Sequence, residues 1–320
     1  MHNLTAPVLY VAGNINVDII MGTLAQWPSP GTEAMLEHSA LRPGGSAGNC
    51  ALALSAMDIP HRAISCQGND AFTPWLAEYF PESAARWPAY ACETSFTVGV
   101  THPDKERSFL SNYGHITRLS ADDILHQLPE QAIPGDIVLL CGTFLCSTLF
   151  SQYPGLLPTL HMRGYRIAVD TGWPPTGWTP ELRADVYTWL PDCDWLLLNE
   201  VETLGLAGLE NLEDAGAELA RRLSGKGGCV AKCGPDGARL WATQQAYHAP
   251  CQPVRVIDTI GAGDSFNAGF LAALCQAQTP EEALYWGNAV AAHAISSSPR
   301  SYPDWQALQH HIEEMSHGRG

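Results

Sequence analysis

Apolar residues in this chain fall in short uninterrupted runs: Val8 to Ala12, Ile137 to Leu140, Arg166 to Val169, Trp195 to Leu198 and Cys229 to Lys232. Runs this short, rich in β-formers and apolar at successive positions, suit strands covered on both faces, as in a parallel sheet. Segments with helical spacing lie between them. Ser46 to Met57 opens after a glycine pair, Ala121 to Leu128 follows Ser120 as an N-cap, and Leu212, Ala215, Leu219 and Leu223 recur on one helix face. The alternation predicts one α/β domain over residues 1–320, with a doubly wound, mainly parallel sheet flanked by helices. Residues 15–40 and 94–119 break the alternation. They are β-rich and punctuated by turns, with Phe96 to Val100 and Ser108 to Tyr113 as strand candidates, and predict either a small β lid or two long surface loops.

Composition narrows the function classes. The 320 residues carry 17 basic and 33 acidic side chains, a formal net charge of −16, so a phosphate backbone would be repelled across most of the surface. That excludes nucleic-acid binding by bulk electrostatics, and any phosphate must be held locally. A 46% hydrophobic and 16% charged composition suits a buried core. No stretch reaches the roughly 20 apolar residues of a membrane span, and Met1 to Pro7 lacks the basic start and apolar run of a secretion signal. The expected location is cytoplasmic, where the ten cysteines would stay as thiols. Cys229 and Cys233 read as a buried strand and its exit, since a zinc site would need a second ligand pair.

The stretch richest in chemistry is Asp258-Thr259-Ile260-Gly261-Ala262-Gly263-Asp264-Ser265-Phe266-Asn267, which leads into an apolar, small-residue helix through Cys275. Amides at a helix start lack intrahelical partners and carry the positive end of the macrodipole. Gly261, Ala262 and Gly263 can therefore cradle a phosphate. Asp264 would repel that phosphate unless a hydroxyl lay between them, which makes it a candidate base: the hydroxyl gives its proton to the carboxylate while its oxygen attacks phosphorus in line. An ordinary N-cap aspartate beside a tight turn is the plainer reading.

A second glycine-led helix start is Arg42-Pro43-Gly44-Gly45-Ser46-Ala47-Gly48-Asn49, and Asn16 and Asp18 leave the first strand in alternation. A carboxylate and amides in one pocket suit a polyhydroxylated ligand, since its hydroxyls need both donors and acceptors. Glycine loops of this kind also serve plain close packing.

Together these two stretches resemble the two signatures of the PfkB, or ribokinase-like, carbohydrate kinases, and the similarity runs from about Val8 to Ser301. The resemblance implies a ribokinase-like fold, Asp264 as catalytic base, and Gly261, Ala262 and Gly263 as the anion hole. It implies that Asn16, Asp18, Gly44, Gly45 and Asn49 hold sugar hydroxyls. Asn199 and Glu202 match an Asn-x-x-Glu motif near Mg²⁺ and the ATP phosphates, with Glu202 acting directly or through water; without the family, Glu200 and Glu202 would pass as a solvated helix start. Lys232, Gly234 and Gly237 look like the turn beside the nucleotide ribose and base, or a plain hairpin turn. Asn288 falls where a residue beside adenine is expected, or on a helix surface. Asp258 and the Ile260 carbonyl match a potassium site of many members, although the partner loop Ser296 to Ser301 lacks the glycine often seen there. Cys141-Gly142-Thr143-Phe144 lacks the acid that ribokinases carry, which argues against ribose. Lid strands of the family often pair between subunits, implying a homodimer.

Other constellations are weaker. There is no Gly-x-x-x-x-Gly-Lys-Ser/Thr, and Phe266 stands where a dinucleotide fingerprint needs its third glycine. His310 and His311, with no His-x-x-x-His pair, read as surface or packing residues. Trp173, Trp178, Trp189 and Trp195 read as packing or as a sugar platform. Arg107 is either a solvated hairpin charge or the partner of an acidic acceptor. The sequence thus implies an ATP- and Mg²⁺-dependent kinase acting on a primary hydroxyl of a small sugar or sugar derivative. A nucleoside kinase of the same family and a catalytically silent sugar- or nucleotide-binding module are the alternatives.

Overall fold

The computed structural model describes residues 6–104, 107–243 and 245–317, and side chains except those of residues 311 and 313–317, so the side chain of His311 in the histidine pair lies outside what is described. Among the described residues there are twelve strands: β1 (Leu9–Gly13), β2 (Asn16–Met21), β3 (Ser39–Gly44), β4 (His61–Ile64), β5 (Phe96–Thr101), β6 (Arg107–Ser111), β7 (Ile137–Cys141), β8 (Arg166–Asp170), β9 (Trp195–Asn199), β10 (Gly228–Lys232), β11 (Ala238–Trp241) and β12 (Ala246–Ala249). Eight of them form one sheet in the order β12-β11-β10-β9-β8-β7-β1-β4. Pairing is parallel from β4 to β10 and antiparallel at the β11 and β12 edge.

The apolar runs become strands because both faces are covered. Leu9, Val11, Leu139 and Leu197 point into one core with the helices Ser46–Ala56, Ala262–Cys275 and Pro280–Ile295. Tyr10, Ala12, Val138, Leu140 and Leu196 point into the other, with Ser147–Met162, Pro180–Trp189 and Leu212–Arg222. Alternate residues of one strand thus feed opposite layers. Ser120 does cap its helix, with its side chain accepting from Asp123 N and Asp123 answering, so the capping box anchors that start. The tryptophans pack: Trp178 meets Phe144, Trp189 meets Tyr153 and Trp195 meets Phe270 edge-on, while Trp173 is exposed.

The two irregular segments are not loops; they build a second sheet in the order β3-β2-β5-β6. Its second strand in sequence, β3, runs through Gly44, beyond the boundary expected at residue 40, because the ladder from Asn16↔Gly44 to Met21↔Ser39 is continuous. One imidazole pins both crossings into this sheet. His115 Nδ1 accepts from Ser95 N at 2.9 Å, so its proton lies on Nε2, which contacts the Ile15 carbonyl at 3.0 Å. Burial pushes His115 down to about 4 and keeps it neutral in that clamp.

The chain leaves β1 toward β4 on one side and later returns to β7 on the other, so the topological switch point falls between β1 and β7. Crevices at the carboxyl ends of such strands are where α/β sheets bind ligands. Among the described residues, no helix is long and apolar enough to cross a membrane.

Two glycines let the helices behind that crevice touch. A methyl on Gly269 would lie 2.8 Å from the Trp286 carbonyl and from Val290, and one on Gly287 would lie 2.6 Å from Phe266. Gly269→Val is therefore expected to lower stability by about 1–3 kcal/mol through overpacking, read as a drop in denaturant midpoint at unchanged m-value; an unchanged midpoint would contradict the close contact.

Candidate active site

The acceptor-side residues converge at the junction of the two sheets. Asn16 starts β2 and is buried, and its Nδ2 donates to Asp18 Oδ1 at 2.8 Å. A methyl on Gly44 would displace the Asp18 carboxylate; one on Gly45, at φ +83°, would overlap the Asn14 carbonyl and the Asn16 amide. The glycine pair therefore makes room for the polar side chains of β2, which plain close packing would not require. Burial raises Asp18 to about 6, against the hydrogen bond from Asn16 and the charges of Arg42 and Arg300. Asn14, unremarked in the sequence, is also buried here, with its Nδ2 directed to Asn16 Oδ1 at 3.4 Å.

Asn49 closes the gap between the two glycine motifs. It lies in the first turn of Ser46–Ala56, and its Nδ2 donates to Asp264 Oδ2 at 2.8 Å across 215 positions of chain. Asp264 is not an N-cap. The cap of Ala262–Cys275 is Gly261, left-handed at φ +68°, and Asp264 stands inside the first turn with its carboxylate free of capping duty. Ala262 N–H is turned to the Thr259 carbonyl at 3.2 Å, which removes it from the expected anion hole and leaves Gly261, Gly263 and Asp264 N–H as the donors of that turn.

Behind the helix start lies a polar network that the sequence reading did not foresee. Lys232, at the end of β10, donates to Asp170 Oδ2 at 2.8 Å and to Asn267 Oδ1 at 3.2 Å, while Asn267 Nδ2 donates to Asp170 Oδ2 at 2.6 Å. A methyl on Gly263 would lie 3.4 Å from Lys232 Nζ, so the ammonium sits beneath the helix start. Burial pushes Asp264 up to about 7, with the Asp170 charge adding to it; the Asn49 hydrogen bond, Lys232 and Arg300 pull it back down. Lys232 is held above its ordinary value by Asp170 and Glu202, against the cost of burial. The signals for Asp170 and Asn267 were an acid ending an apolar strand and an amide in an apolar helix.

The nucleotide-side candidates lie along the same carboxyl edge. Asn199 and Glu202 form a capping box: Asn199 Oδ1 accepts from Glu202 N at 2.8 Å, and Glu202 Oε2 accepts from Asn199 N at 2.9 Å. Glu202 is buried, not solvated, whereas Glu200 is exposed. Gly234 opens onto free space, while Gly237 is pressed against the Ala249 carbonyl. Asn288 is buried and donates to that carbonyl at 2.8 Å, fixing β12, so it is no surface residue. Among the described residues, no three His, Cys, Asp or Glu side chains gather as a metal site, and Cys229 and Cys233 are buried thiols.

Asp258 is surrounded by guanidinium groups. Arg42 from β3 approaches Oδ2 at 3.3 Å, Arg107 from β6 approaches Oδ1 at 3.1 Å, and Arg300 lies 3.7 Å from Oδ2 while donating to the Ile260 carbonyl. Arg107 is therefore no solvated hairpin charge; its side chain is 17% exposed. The hydrogen bond from Ile260 N and the three arginines hold Asp258 below the usual carboxylate range, although burial works the other way.

The raised Asp264 carries a stability consequence. Because its folded pKa lies above the ordinary 3.8, the neutral acid is the form the fold prefers. That contribution is complete below the ordinary value and is lost as pH rises through about 7, leaving a charge that costs stability above it. Asp264→Asn is expected to raise Tm by roughly 2 °C or more at mildly alkaline pH, with the gain shrinking on acidification below neutrality. A gain independent of pH in thermal unfolding would contradict this.

Comparison with known proteins agrees with the geometry. The pfkB family carbohydrate kinase profile matches residues 9–306. A 1-phosphofructokinase of Haloferax volcanii is 32% identical over 228 residues, 69% of this chain and 70% of the relative. An ATP-dependent ribose-1-phosphate kinase of Halopiger xanaduensis is 26% identical over 309 residues, 95% of this chain and 97% of the relative. The structure of Arabidopsis thaliana ribokinase complexed with ribose and ATP superposes with a TM-score of 0.76 at 21% identity, covering 97% of this chain and 99% of that one. Two glycine motifs meeting at Asp264, on a ribokinase-like fold, and a family match spanning nearly the whole chain make one conclusion: the chain belongs to the pfkB family of carbohydrate kinases and is an ATP-dependent sugar kinase.

Proposed function

We propose that the cleft transfers the γ-phosphoryl group of ATP to a primary hydroxyl of a small sugar or sugar derivative, with Asp264 as the base. The observation that carries this reading is the 2.8 Å contact from Asn49 to Asp264, which joins the polyol-binding pocket to the helix start. Asn16, Asp18 and Asn49 hold the acceptor's hydroxyls. The acceptor O–H gives its proton to the Asp264 carboxylate, its oxygen bonds to the γ-phosphorus, and the bond from that phosphorus to the β–γ bridging oxygen breaks to release ADP. The N–H groups of Gly261 and Gly263 face the charge on the transferring group, supported by the macrodipole and by Lys232 beneath. Since such transition states are loose, positioning and charge neutralisation supply most of the acceleration.

Mg²⁺ fits as an ion brought with the triphosphate. Glu202 has one carboxylate oxygen committed to Asn199 N–H, and its other oxygen would hold the ion directly or through its water shell. The ion would supply neutralisation of the phosphate oxygens. The second sheet serves as a lid, with β3 and β6 reaching the cleft through Arg42 and Arg107, and excludes water from the transfer.

A second reading concerns the acceptor. Arg42, Arg107 and Arg300 gather around Asp258 at the cleft, and the charges of Arg42 and Arg300 also reach Asp18. Three guanidinium groups on one side of the cleft favour an acceptor already carrying a phosphate; of the relatives spanning most of this chain, two are named for kinases of that kind, 1-phosphofructokinase and ribose-1-phosphate kinase, and another is named a ribokinase.

ADP release measured over a panel of free sugars, sugar 1-phosphates and nucleosides identifies the acceptor; turnover of nucleosides alone would overturn the sugar reading. On that acceptor, Asp264→Asn is expected to lower kcat by about 10²- to 10⁴-fold, and wild-type kcat/KM is expected to fall on the acid side of about pH 7, where Asp264 takes up its proton. Wild-type turnover by the variant would remove the base. Gly44→Ala, which crowds Asp18, is expected to raise the acceptor's KM by roughly tenfold or more, about the 1.4 kcal/mol of one lost hydrogen bond, and to leave the KM of ATP nearly unchanged. Equal changes in both would deny Asp18 its place at the acceptor.

A further inference from the structure

The family resemblance matches the Asp258 carboxylate and the Ile260 carbonyl to a potassium site, and the residues present do not fit one. The Ile260 oxygen already accepts from Arg300, and both Asp258 oxygens face guanidinium nitrogens at 3.1–3.7 Å. Asp258 Oδ1 also accepts from Ile260 N at 2.9 Å. A potassium ion would have to displace Arg300, whose side chain is 16% exposed, and would leave that charge unpaired in a confined place.

We propose that Arg300 is a tethered replacement for the monovalent ion: a positioning residue that sets the anion hole and frees the enzyme from potassium. The inference rests on the kinase reading above. Its physical basis is the planarity of one peptide unit. In a trans peptide the C=O and N–H point in opposite directions, so holding the Ile260 oxygen fixes the direction of Gly261 N–H, a donor of the anion hole. The neighbourhood is tight enough to transmit this constraint: a methyl on Gly261 would lie 3.0 Å from Arg300 Nη1 and 3.1 Å from Asn49 Nδ2. Asp258 holds the preceding peptide through Ile260 N–H, so the two units leading into Gly261 are clamped from one cluster. A guanidinium suits this task better than an ammonium, since its planar fork can serve a carbonyl and a carboxylate together. Arg42 and Arg107 reach the same carboxylate from β3 and β6, which ties the second sheet to the clamp.

The test compares the wild-type enzyme with itself in potassium chloride and in choline chloride at equal ionic strength. Steady-state ADP release and calorimetric binding of Mg²⁺ with a nonhydrolysable ATP analogue are both read. The proposal expects less than about a twofold difference between the salts in either readout, far below the tenfold that 1.4 kcal/mol represents; stimulation by potassium of fivefold or more would overturn it. Arg300→Ala is expected to lose about 100-fold in kcat, the scale of a small misplacement at the reacting centre, with the KM of ATP little moved. Potassium or low-millimolar guanidinium chloride should restore part of that loss. An Arg300→Ala enzyme of wild-type rate, or a loss that neither cation relieves, would overturn the proposal. Arg300→Lys, which keeps the charge without the fork, serves if the alanine variant does not fold. The binding readout needs no acceptor, so a failure to find a substrate and a failure of cation independence remain separate results.

Discussion

The site depends on keeping one carboxylate available at a place where charge is expensive. Asp264 stands in the first turn of Ala262–Cys275, inside the cleft and in the field of Asp170, and both burial and that second acid push its proton affinity up. An aspartate abandoned there would stay protonated and could accept nothing. The opposing contributions come from elements far apart in sequence: Asn49 from the first glycine motif, Lys232 from β10 and Arg300 from the loop after the last long helix. Their balance places the group near neutrality, where a base combines adequate ionisation with adequate basicity. The sheet order, the close helix pair at Gly269 and the glycine pair at Gly44 and Gly45 can all be understood as ways of bringing those partners to one carboxylate.

The same economy explains Lys232 and Asp170. A buried ion pair alone gives little net stability, since desolvation offsets attraction. Here the pair is completed by Asn267, which donates to Asp170 and accepts from Lys232, so each charged group has directed hydrogen bonds. The product of that arrangement is a positive charge beneath Gly263, and the field of its negative partner Asp170 reaches Asp264 and raises it. Removing either partner would therefore reach the base as well as the fold.

Much of this was legible before any coordinates. Short apolar runs gave strands because parallel strands are covered on both sides, and Ser120, Gly261 and Gly44 marked helix starts and close approaches by rules that act within a few residues. Asp264 and Asn49 were legible as members of two motifs, though their direct contact depends on a separation of 215 positions. What stayed hidden was pairwise and distant. Asp170 ends a strand as many acids do, Asn267 is one amide in an apolar helix, and nothing local tells Arg42, Arg107 and Arg300 that they share Asp258. Asp258 meets the same limit: a carboxylate beside a carbonyl describes a cation site equally well whether the cation is an ion or a guanidinium.

That last ambiguity has a mechanical side. A free ion would bind and leave independently of the second sheet, whereas two of the cations around Asp258 are carried on β3 and β6. Any swing of that sheet away from the cleft must draw Arg42 and Arg107 off the carboxylate, leaving Arg300 as its remaining guanidinium partner in the cluster. Electrostatic neutralisation of Asp258 thus depends on the position of the sheet, and Asp258 in turn holds the peptide that leads into the anion hole through Ile260 N–H. If the sheet closes over a substrate, that closure and the orientation of the proposed phosphate-binding amides draw on the same charge cluster.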